Sequence, residues 1–375
     1  MAEILNKATE DEERRKDEKP VISVSEAVAA AKLLYGLDIH DENREAVKEL
    51  DSYDDRNFYI CGMLPSSDRV QHCLLKIHNG VESDRLDQLQ SQNEVMIYLS
   101  SKGFVCPYPI KGVQGDLINF IDLKANAGNS CQKRHAVRLL TWVNGKTLSS
   151  TTVTLEKLVS AGRYLGDLTT ALSTFDHPGA HRIHLWDQNN THFIKAYVQT
   201  IDSEEVKKVV HEVILDFEQN IVGSPGLRQS VIMGDFNDAN IIMSTDENTA
   251  SGIIDFGDMI YSNLVSDLSV GMAYSMLSPP AGIDRVSAAC ALLEGFSEKF
   301  DLESSERGAL RTLTAARIAT SVTLGALSIA KDPNNEYLKL HSKPGRQALV
   351  EFWKVDKERV ENLFDDSIKA GISRR

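Results

Sequence analysis

The feature that most constrains the fold is a pair of acid-rich stretches set between short apolar strands. The first, residues 233–243, reads MGDFNDANIIM, and the second, residues 252–258, reads GIIDFGD. Asp and Asn favour turns because their side chains bond their own backbone, which would explain any one of these residues. The turn preference does not explain why several acids flank apolar Ile-Ile pairs. Carboxylates next to such strands should be partly buried, and a buried carboxylate without a partner is costly. Clusters of this kind are normally held by a metal ion or used in catalysis.

The spacing within the two stretches predicts phosphoryl transfer. Transfer of a γ-phosphoryl group depends on positioning and on neutralisation of charge. It needs a carboxylate beside the acceptor hydroxyl, and oxygen ligands for Mg²⁺, which retains several waters and uses few protein groups. We expect Asp235 to orient the hydroxyl and take its proton, while Asn240 and Asp255 bind Mg²⁺. The pattern D-x-x-x-x-N followed by I-D-F-G is specific for this chemistry.

The N-terminal half contains candidate partners for the nucleotide. Lys76 lies among apolar residues in a predicted strand, where it either meets an anion or faces water from an edge strand. Glu94 lies on the next predicted helix; alone it is an ordinary surface acid, but with Lys76 it forms a candidate ion pair. Ser52 precedes the first predicted strand in a segment without glycine, where it and the backbone amides could contact phosphates, although a solvated turn is equally compatible.

The pattern along the chain predicts an α+β fold with two lobes. Short apolar strands dominate up to about residue 142, and helical periodicity dominates beyond it. We therefore divide the 375 residues into a mobile tail (1–20), a β-rich nucleotide-binding lobe (21–142) and a mainly helical catalytic and substrate lobe (143–375).

Composition excludes several classes of function. The net charge of −13 argues against broad binding to nucleic acid or to anionic membranes. Five scattered cysteines form neither a disulfide framework nor a zinc module, which suits a reducing compartment. The acid-rich N-terminus lacks the apolar core of a secretory signal. We expect a cytoplasmic protein whose partners are a small-molecule substrate and a nucleotide.

These stretches, in this order, resemble the aminoglycoside phosphotransferase and choline kinase superfamily, and within it the hydroxylysine kinases. The resemblance is carried by segments 50–58, 75–77, 137–145, 235–242 and 252–259. It implies a protein-kinase-like fold of two lobes. It also implies GTP (or ATP) as the phosphoryl donor, Mg²⁺ as the metal and the side-chain hydroxyl of 5-hydroxy-L-lysine as the acceptor.

The resemblance also implies roles for individual residues. Lys76 would contact the phosphates, Glu94 would hold Lys76, and the segment containing Leu140 and Trp142 would be the hinge whose backbone meets the purine. The family usually has His-Gly-Asp where this chain has Met233-Gly234-Asp235. Because Met fills the volume without bonding the loop, we expect a less rigid loop and slower turnover.

An amino-acid acceptor requires acids near its amines and a cation near its carboxylate. The candidate acids are Asp238, Asp258 and Asp187, and the candidate cation is Arg182; each is equally compatible with a solvated surface position. Kinases of choline, homoserine, methylthioribose or a fructosamine share the same catalytic residues and remain alternatives. A pseudokinase-like binding protein is a further alternative, which the presence of all the reacting residues disfavours.

Overall fold

The computed structural model describes residues 10–11, 13–39, 46–52, 54–65, 67–124, 132–223, 226–331 and 336–375, with the backbone alone for residues 331 and 336–343. The chain divides into two compact units, Met1–Asn144 with His177–Gly179, and Gly145–Asp176 with Ala180–Arg375. The boundary predicted from the sequence lies two residues earlier, after residue 142. The first unit is rich in strands and the second in helices, which confirms the α+β prediction.

The first unit is built on a sheet of six antiparallel strands. They are β1 (Val47–Leu50), β2 (Arg56–Met63), β3 (Val70–Ile77), β4 (Pro109–Ile110), β5 (Asn119–Lys124) and β6 (Gln132–Thr141). The order is β1-β2-β3-β6-β4, and β5 also pairs with β6. Alternate side chains of β2 and β3 are buried, including Phe58, Ile60, Cys73 and Leu75, because successive residues of a strand point to opposite faces.

The first unit also contains helices α1 (Val24–Tyr35), α2 (Gly80–Ser83) and α3 (Leu86–Ser101). Helix α1 begins with a capping box, in which Ser23 and Glu26 bond each other's backbone N–H groups. It ends at Gly36, whose φ of 63° is the left-handed conformation that glycine adopts at helix ends.

Part of the predicted tail is ordered. Residues 1–9 and 12 lie outside the described residues, but residues 13–17 are helical. Arg15 makes ion pairs with Asp54 and Glu82, and Asn79 donates a hydrogen bond of 2.7 Å to the Arg15 carbonyl. The charged composition predicted mobility, whereas these contacts with the rest of the first unit order the segment.

The second unit contains seven helices among its described residues. They are α4 (Leu155–Leu172), α5 (Glu204–Asn220), α6 (Val265–Leu277), α7 (Arg285–Ser297), α8 (Ser304–Lys331), α9 (Glu336–Lys354) and α10 (Lys357–Ile372). Helices α4 and α7 cross very closely where Gly162 has no side chain. A Cβ at this position would lie only 1.9 Å from the Leu292 carbonyl oxygen. Helices α7 and α8 follow each other along the chain and are separated by residues 298–303.

Two short antiparallel sheets of two strands each carry the acid-rich stretches. Strand β7 (Gln229–Ile232) pairs with β10 (Ile260–Asn263), and β8 (Ile241–Met243) pairs with β9 (Ala250–Ile253). The acids therefore lie in the β7–β8 and β9–β10 connections.

Helix α8 is long and apolar enough, by length and composition, to cross a membrane. Of its most apolar stretch, 67% is buried inside the protein. Core helices of globular proteins have the same character.

Candidate active site

Asp235 lies in the connection between β7 and β8, and its side chain is 23% exposed. The Asn237 side-chain amide donates a hydrogen bond of 2.7 Å to Asp235 Oδ2. The Asn240 amide donates to the Asp235 carbonyl at 3.0 Å and to Oδ2 at 3.3 Å. Both bonds restrain the carboxylate within its own loop, so the predicted catalytic acid and the predicted metal ligand Asn240 lie side by side.

Asp267 fixes the beginning of this loop. It is buried near the start of α6, and its carboxylate accepts hydrogen bonds from the backbone N–H of Met233 at 2.7 Å and of Gly234 at 2.8 Å. Burial raises the pKa of Asp267 to about 7, against the effect of these two N–H donors. The loop is therefore bonded although Met233, which is fully buried, has no side-chain donor.

Gly234 allows the two acid-rich connections to meet. Its φ is +77°, and a Cβ at this position would lie 2.3 Å from the Asp258 carbonyl oxygen. Only glycine avoids both the strained conformation and the overlap. The residue before Asp235 thus packs directly against the backbone of the second connection.

Asp255 has an uncommon backbone conformation for a residue other than glycine. Its φ is +62°, and its Oδ1 accepts the N–H of Gly257 at 3.1 Å. Conformations of this kind cost about 1–3 kcal/mol and concentrate at functional sites. The adjacent Ile254 N–H donates to the Asn240 carbonyl at 3.0 Å, which joins the segments carrying the two predicted metal ligands.

The environment of Asp235 favours its protonated form more than water does. Burial is the main cause, and the charges of Asp258 and Asp255 add to it, which together raise the pKa of Asp235 to about 6. Arg317 opposes this rise, since its Nη2 lies 2.7 Å from Asp235 Oδ1. A carboxylate with a pKa near neutrality is suited to accept a proton and to release it again.

Sequence reasoning missed Arg317, which lies on α8 with a side chain only 3% exposed. Its guanidinium lies 4.9 Å from the centre of the Trp186 ring and 5.6 Å from that of Tyr274. An arginine within an otherwise buried run of a helix could have indicated a functional cation. The sequence gives no indication, however, that the helix turns it toward Asp235.

Two predicted substrate residues support the site instead. Asp187 accepts the Asn189 backbone N–H at 3.1 Å and the Ser262 hydroxyl at 2.5 Å, and so caps a 3₁₀ segment. Arg182 donates to the carbonyl oxygens of Gly257 at 2.7 Å and Met259 at 3.2 Å, and so holds the segment that follows Asp255.

The other two acids, Asp238 and Asp258, lie in and beside the predicted catalytic loop, which is the β7–β8 connection that carries Asp235. Burial raises the pKa of Asp238, and its carbonyl accepts the Ser149 backbone N–H at 2.9 Å. Asp258 Oδ1 lies 3.6 Å from His184 Nε2. Asp258 and His184 line a narrow cavity together with Trp186, Asp187, Gly234 and Ser266.

In the first unit, Lys76 on β3 forms an ion pair of 3.0 Å with Asp55. Glu94 was predicted to hold Lys76, but its side chain is 47% exposed and lies 3.5 Å from His177 Nε2, and it accepts a hydrogen bond from Gln90 at 3.0 Å. Glu94 lies on the outer face of α3, so this part of the prediction needs correction: Asp55 is the acid beside Lys76.

Asp55 is built into the first unit as an ionised group. Burial by itself would raise its pKa, but Lys76 and His78 outweigh that effect and hold the pKa well below its usual range. The Asn79 backbone N–H also donates to Asp55 at 2.8 Å. A carboxylate bonded on several sides can fix the position of the Lys76 ammonium.

Helix α3 turns amides rather than acids toward the sheet. Arg138, the cross-strand neighbour of Lys76, is buried and donates to Gln92 Oε1 at 2.7 Å and Asn93 Oδ1 at 3.0 Å. The inner face of α3 therefore binds Arg138, which explains why Glu94 points elsewhere.

The remaining nucleotide candidates have backbone roles. The Ser52 hydroxyl donates to the Asp55 carbonyl at 2.6 Å, within the β1–β2 connection. Leu140 pairs in register with Leu74, and the Trp142 backbone N–H donates to the His72 carbonyl at 2.9 Å. Leu140 and Trp142 lie at the end of β6 and directly after it, close to the boundary of the first unit at Asn144.

The donor set around Asp235 fits a hard divalent cation. No group of three or more His, Cys, Asp or Glu side chains that could hold a metal occurs within the described ranges. The residues present are instead the carboxylate of Asp255 and the amide of Asn240, both of which offer oxygen ligands. Mg²⁺ needs few protein ligands of this kind because it retains several waters and binds phosphate oxygens.

Residues 50–298 match the phosphotransferase enzyme family. The chain belongs to this family. It is 28% identical to hydroxylysine kinase of Danio rerio over 361 residues, covering 94% of this chain and 97% of that protein. It is also 28% identical to hydroxylysine kinase of Xenopus laevis, covering 95% and 96% of the two chains.

Solved structures confirm the protein-kinase-like fold. An amicoumacin kinase in complex with AMP-PNP, Ca²⁺ and its ligand has a TM-score of 0.66 at 14% identity, covering 91% of this chain and 96% of that one. A microcompartment-associated aminopropanol kinase has a TM-score of 0.59 at 15% identity, covering 88% and 97%. With the full-length relatives, the family establishes a small-molecule phosphotransferase that acts on an alcohol group.

Proposed function

We propose that this phosphotransferase transfers the γ-phosphoryl group of GTP to the side-chain hydroxyl of 5-hydroxy-L-lysine. The observation that carries the proposal is the likeness to hydroxylysine kinases along nearly the whole of both chains. It spans the helical second unit as well as the catalytic connections. The preference for GTP over ATP rests on the same likeness.

In this proposal Asp235 accepts the proton of the acceptor hydroxyl. Its carboxylate is restrained by Asn237 and Arg317, and its raised pKa suits a group that gains and loses a proton. Asn240 and Asp255 would hold Mg²⁺, which neutralises charge on the nucleotide phosphates when bound. Lys76, fixed by Asp55, would contact those phosphates.

The acids beside the catalytic loop support an acceptor that carries ammonium groups. The carboxylates of Asp235 and Asp258 lie close enough for the charge of Asp258 to raise the pKa of Asp235, and Asp238 lies on the same connection as Asp235. A hydroxyl adjacent to an ammonium, as in hydroxylysine, would meet complementary charge there, which a neutral sugar would not supply.

The test is nucleoside diphosphate release with Mg²⁺, using GTP or ATP against a panel of acceptors: hydroxylysine, lysine, choline, homoserine and methylthioribose. We expect turnover of hydroxylysine, with GTP preferred, and none of lysine, which lacks the hydroxyl. Turnover of choline or of the sugar, with none of hydroxylysine, would refute the proposed acceptor. Binding of nucleotide without any transfer would instead indicate a pseudokinase-like protein.

We further propose that the enzyme acts in the cytoplasm. Cys61, Cys73, Cys106 and Cys290 are free thiols in the structure, as expected in a reducing compartment. Fractionation of cells that express a tagged full-length chain would test this.

A further inference from the structure

Two nitrogen atoms of the Arg317 guanidinium have no hydrogen-bond acceptor among the described residues of the second unit. Its Nη2 lies 2.7 Å from Asp235 Oδ1 and 3.5 Å from the Tyr274 hydroxyl. Its Nε and Nη1 are buried and have no hydrogen-bond partner there. A guanidinium has five N–H donors, and buried donors are almost always satisfied by protein, water or ligand.

Two aromatic rings surround the guanidinium of Arg317 and favour its positive charge. Trp186 and Tyr274 present their rings at 4.9 Å and 5.6 Å from the guanidinium carbon, and ring faces attract cations. Trp186 also lines the narrow cavity that Gly234 and Asp258 border. Arg317 therefore lies behind one wall of a cavity that adjoins the catalytic loop.

The carboxylate of an amino-acid acceptor matches the unused donors. A guanidinium N–H that donates to a carboxylate forms a charge-assisted hydrogen bond, which is stronger than a bond between neutral groups. Arg182, the cation predicted from sequence, donates to the Gly257 and Met259 carbonyls, where it supports the backbone. Arg317 contacts the proposed base itself, so it lies where a small acceptor must bind.

Distance also permits the match. The acceptor hydroxyl must come within hydrogen-bond reach of Asp235, roughly 2.6–3.2 Å. In hydroxylysine, four carbon–carbon bonds of about 1.5 Å separate the hydroxyl-bearing carbon from the carboxylate carbon. A folded-back acceptor can therefore contact Asp235 with its hydroxyl and the Arg317 guanidinium with its carboxylate.

We propose that Arg317 is a specificity-determining residue that binds the acceptor carboxylate through its unused Nη1 donor, on displacement of the Trp186 ring. This rests on the proposed function, because it assumes an amino-acid acceptor at the same site. It predicts that the phosphotransferase selects amino acids over the corresponding amino alcohols.

The experiment compares hydroxylysine with 1,5-diaminopentan-2-ol, the same molecule without its carboxylate. The quantity measured is the ratio of the two kcat/KM values. We expect wild type to favour hydroxylysine by about 30-fold or more, and Arg317→Gln to bring the ratio close to one. Arg317→Lys, which keeps a positive charge without the planar fork, should give an intermediate ratio.

The ratio separates recognition from mere support of Asp235. If Arg317 acted only by holding the base, Arg317→Gln would lower kcat for both acceptors equally and leave the ratio unchanged, which would overturn the proposal. Arg311→Lys is the matched control for the loss of a buried arginine from α8, since Arg311 stacks on Trp353 at 4.1 Å. Far-UV circular dichroism and the Tm of each variant confirm folding.

The two proposals fail in different ways. If wild type phosphorylates hydroxylysine but prefers the diamino alcohol, the proposed function stands and the role of Arg317 is refuted. If hydroxylysine is not turned over, the proposed acceptor is refuted, and the same ratio is measured with homoserine against 3-aminopropan-1-ol. A ratio of one or below for that pair, or no turnover of either amino acid, would refute carboxylate recognition by Arg317.

Discussion

Replacement of Gly234 by alanine should disable the catalytic loop more than it destabilises the protein. The new Cβ would lie 2.3 Å from the Asp258 carbonyl oxygen, whereas ordinary contacts begin at 3.4 Å. Because the obstacle is backbone, the strand end must move by about 1 Å, and Asp235 moves with it. A misplacement of about 1 Å can lower the rate of a catalysed step by about 10²-fold.

The cost in stability has two parts. Alanine at a positive φ loses roughly 1–2 kcal/mol relative to glycine. The forced overlap adds about 1–3 kcal/mol, the usual range for overpacking a well-packed region. For Gly234→Ala we therefore expect a decrease of about 2–5 kcal/mol in the free energy of unfolding.

Gly282 provides a control for the conformational part. Its φ is +78°, against +77° for Gly234, and a Cβ there would meet nothing within 4 Å. Gly282→Ala should lose only about 1–2 kcal/mol and keep wild-type kcat. Urea unfolding gives the stabilities, and nucleoside diphosphate release with a saturating acceptor gives kcat. Equal urea midpoints for the two variants, with kcat unchanged in Gly234→Ala, would refute the reasoning.

The remaining predictions concern the proposed roles. Asp235→Asn should lower kcat by about 100-fold or more while nucleotide binding, followed by thermal shift, persists; near-normal turnover would contradict its role as base. Asp255→Asn should weaken nucleotide binding measured with Mg²⁺ but not binding measured with EDTA, and a loss in both conditions would argue against a metal ligand. Lys76→Met and Asp55→Asn should raise the nucleotide KM, and Glu94→Gln should raise it less, because its side chain is exposed. A larger effect at Glu94 than at Asp55 would restore the ion pair predicted from sequence.

The sequence predicted those parts of the fold that depend on local pattern. The β2–β3 hairpin and α3 follow from alternation and helical spacing, which operate over a few residues. The segment Gln188–Ala196 is instead a run of 3₁₀ turns, which begins where Asp187 caps it. The strand β10 was not predicted, because its pairing with β7 joins residues about thirty positions apart.

In the candidate site, too, the sequence predicted the residues that depend on local spacing and not those that depend on distant contacts. Asp235, Asn240 and Asp255 could be found because their spacing is fixed by two short loops. Asp55 was passed over in favour of Glu94, since sequence order suggests a helix acid for Lys76 and cannot reveal that Arg138 occupies the inner face of α3.

Met233 shows why the support of a site is harder to predict than its reacting groups. The sequence suggested a loosened loop, since the usual histidine is replaced by a residue that cannot bond. The loop is nonetheless bonded from the other side, because Asp267 accepts the N–H groups of residues 233 and 234. An acid near the start of an apolar helix reads as an ordinary first-turn charge, which the helix dipole favours. Asp267 acts through hydrogen bonds to two residues that lie 34 and 33 positions before it in the chain. Arg317 likewise contacts Asp235 across 82 positions. Groups that act through such distant contacts carry no spacing signal, so only the folded chain identifies them.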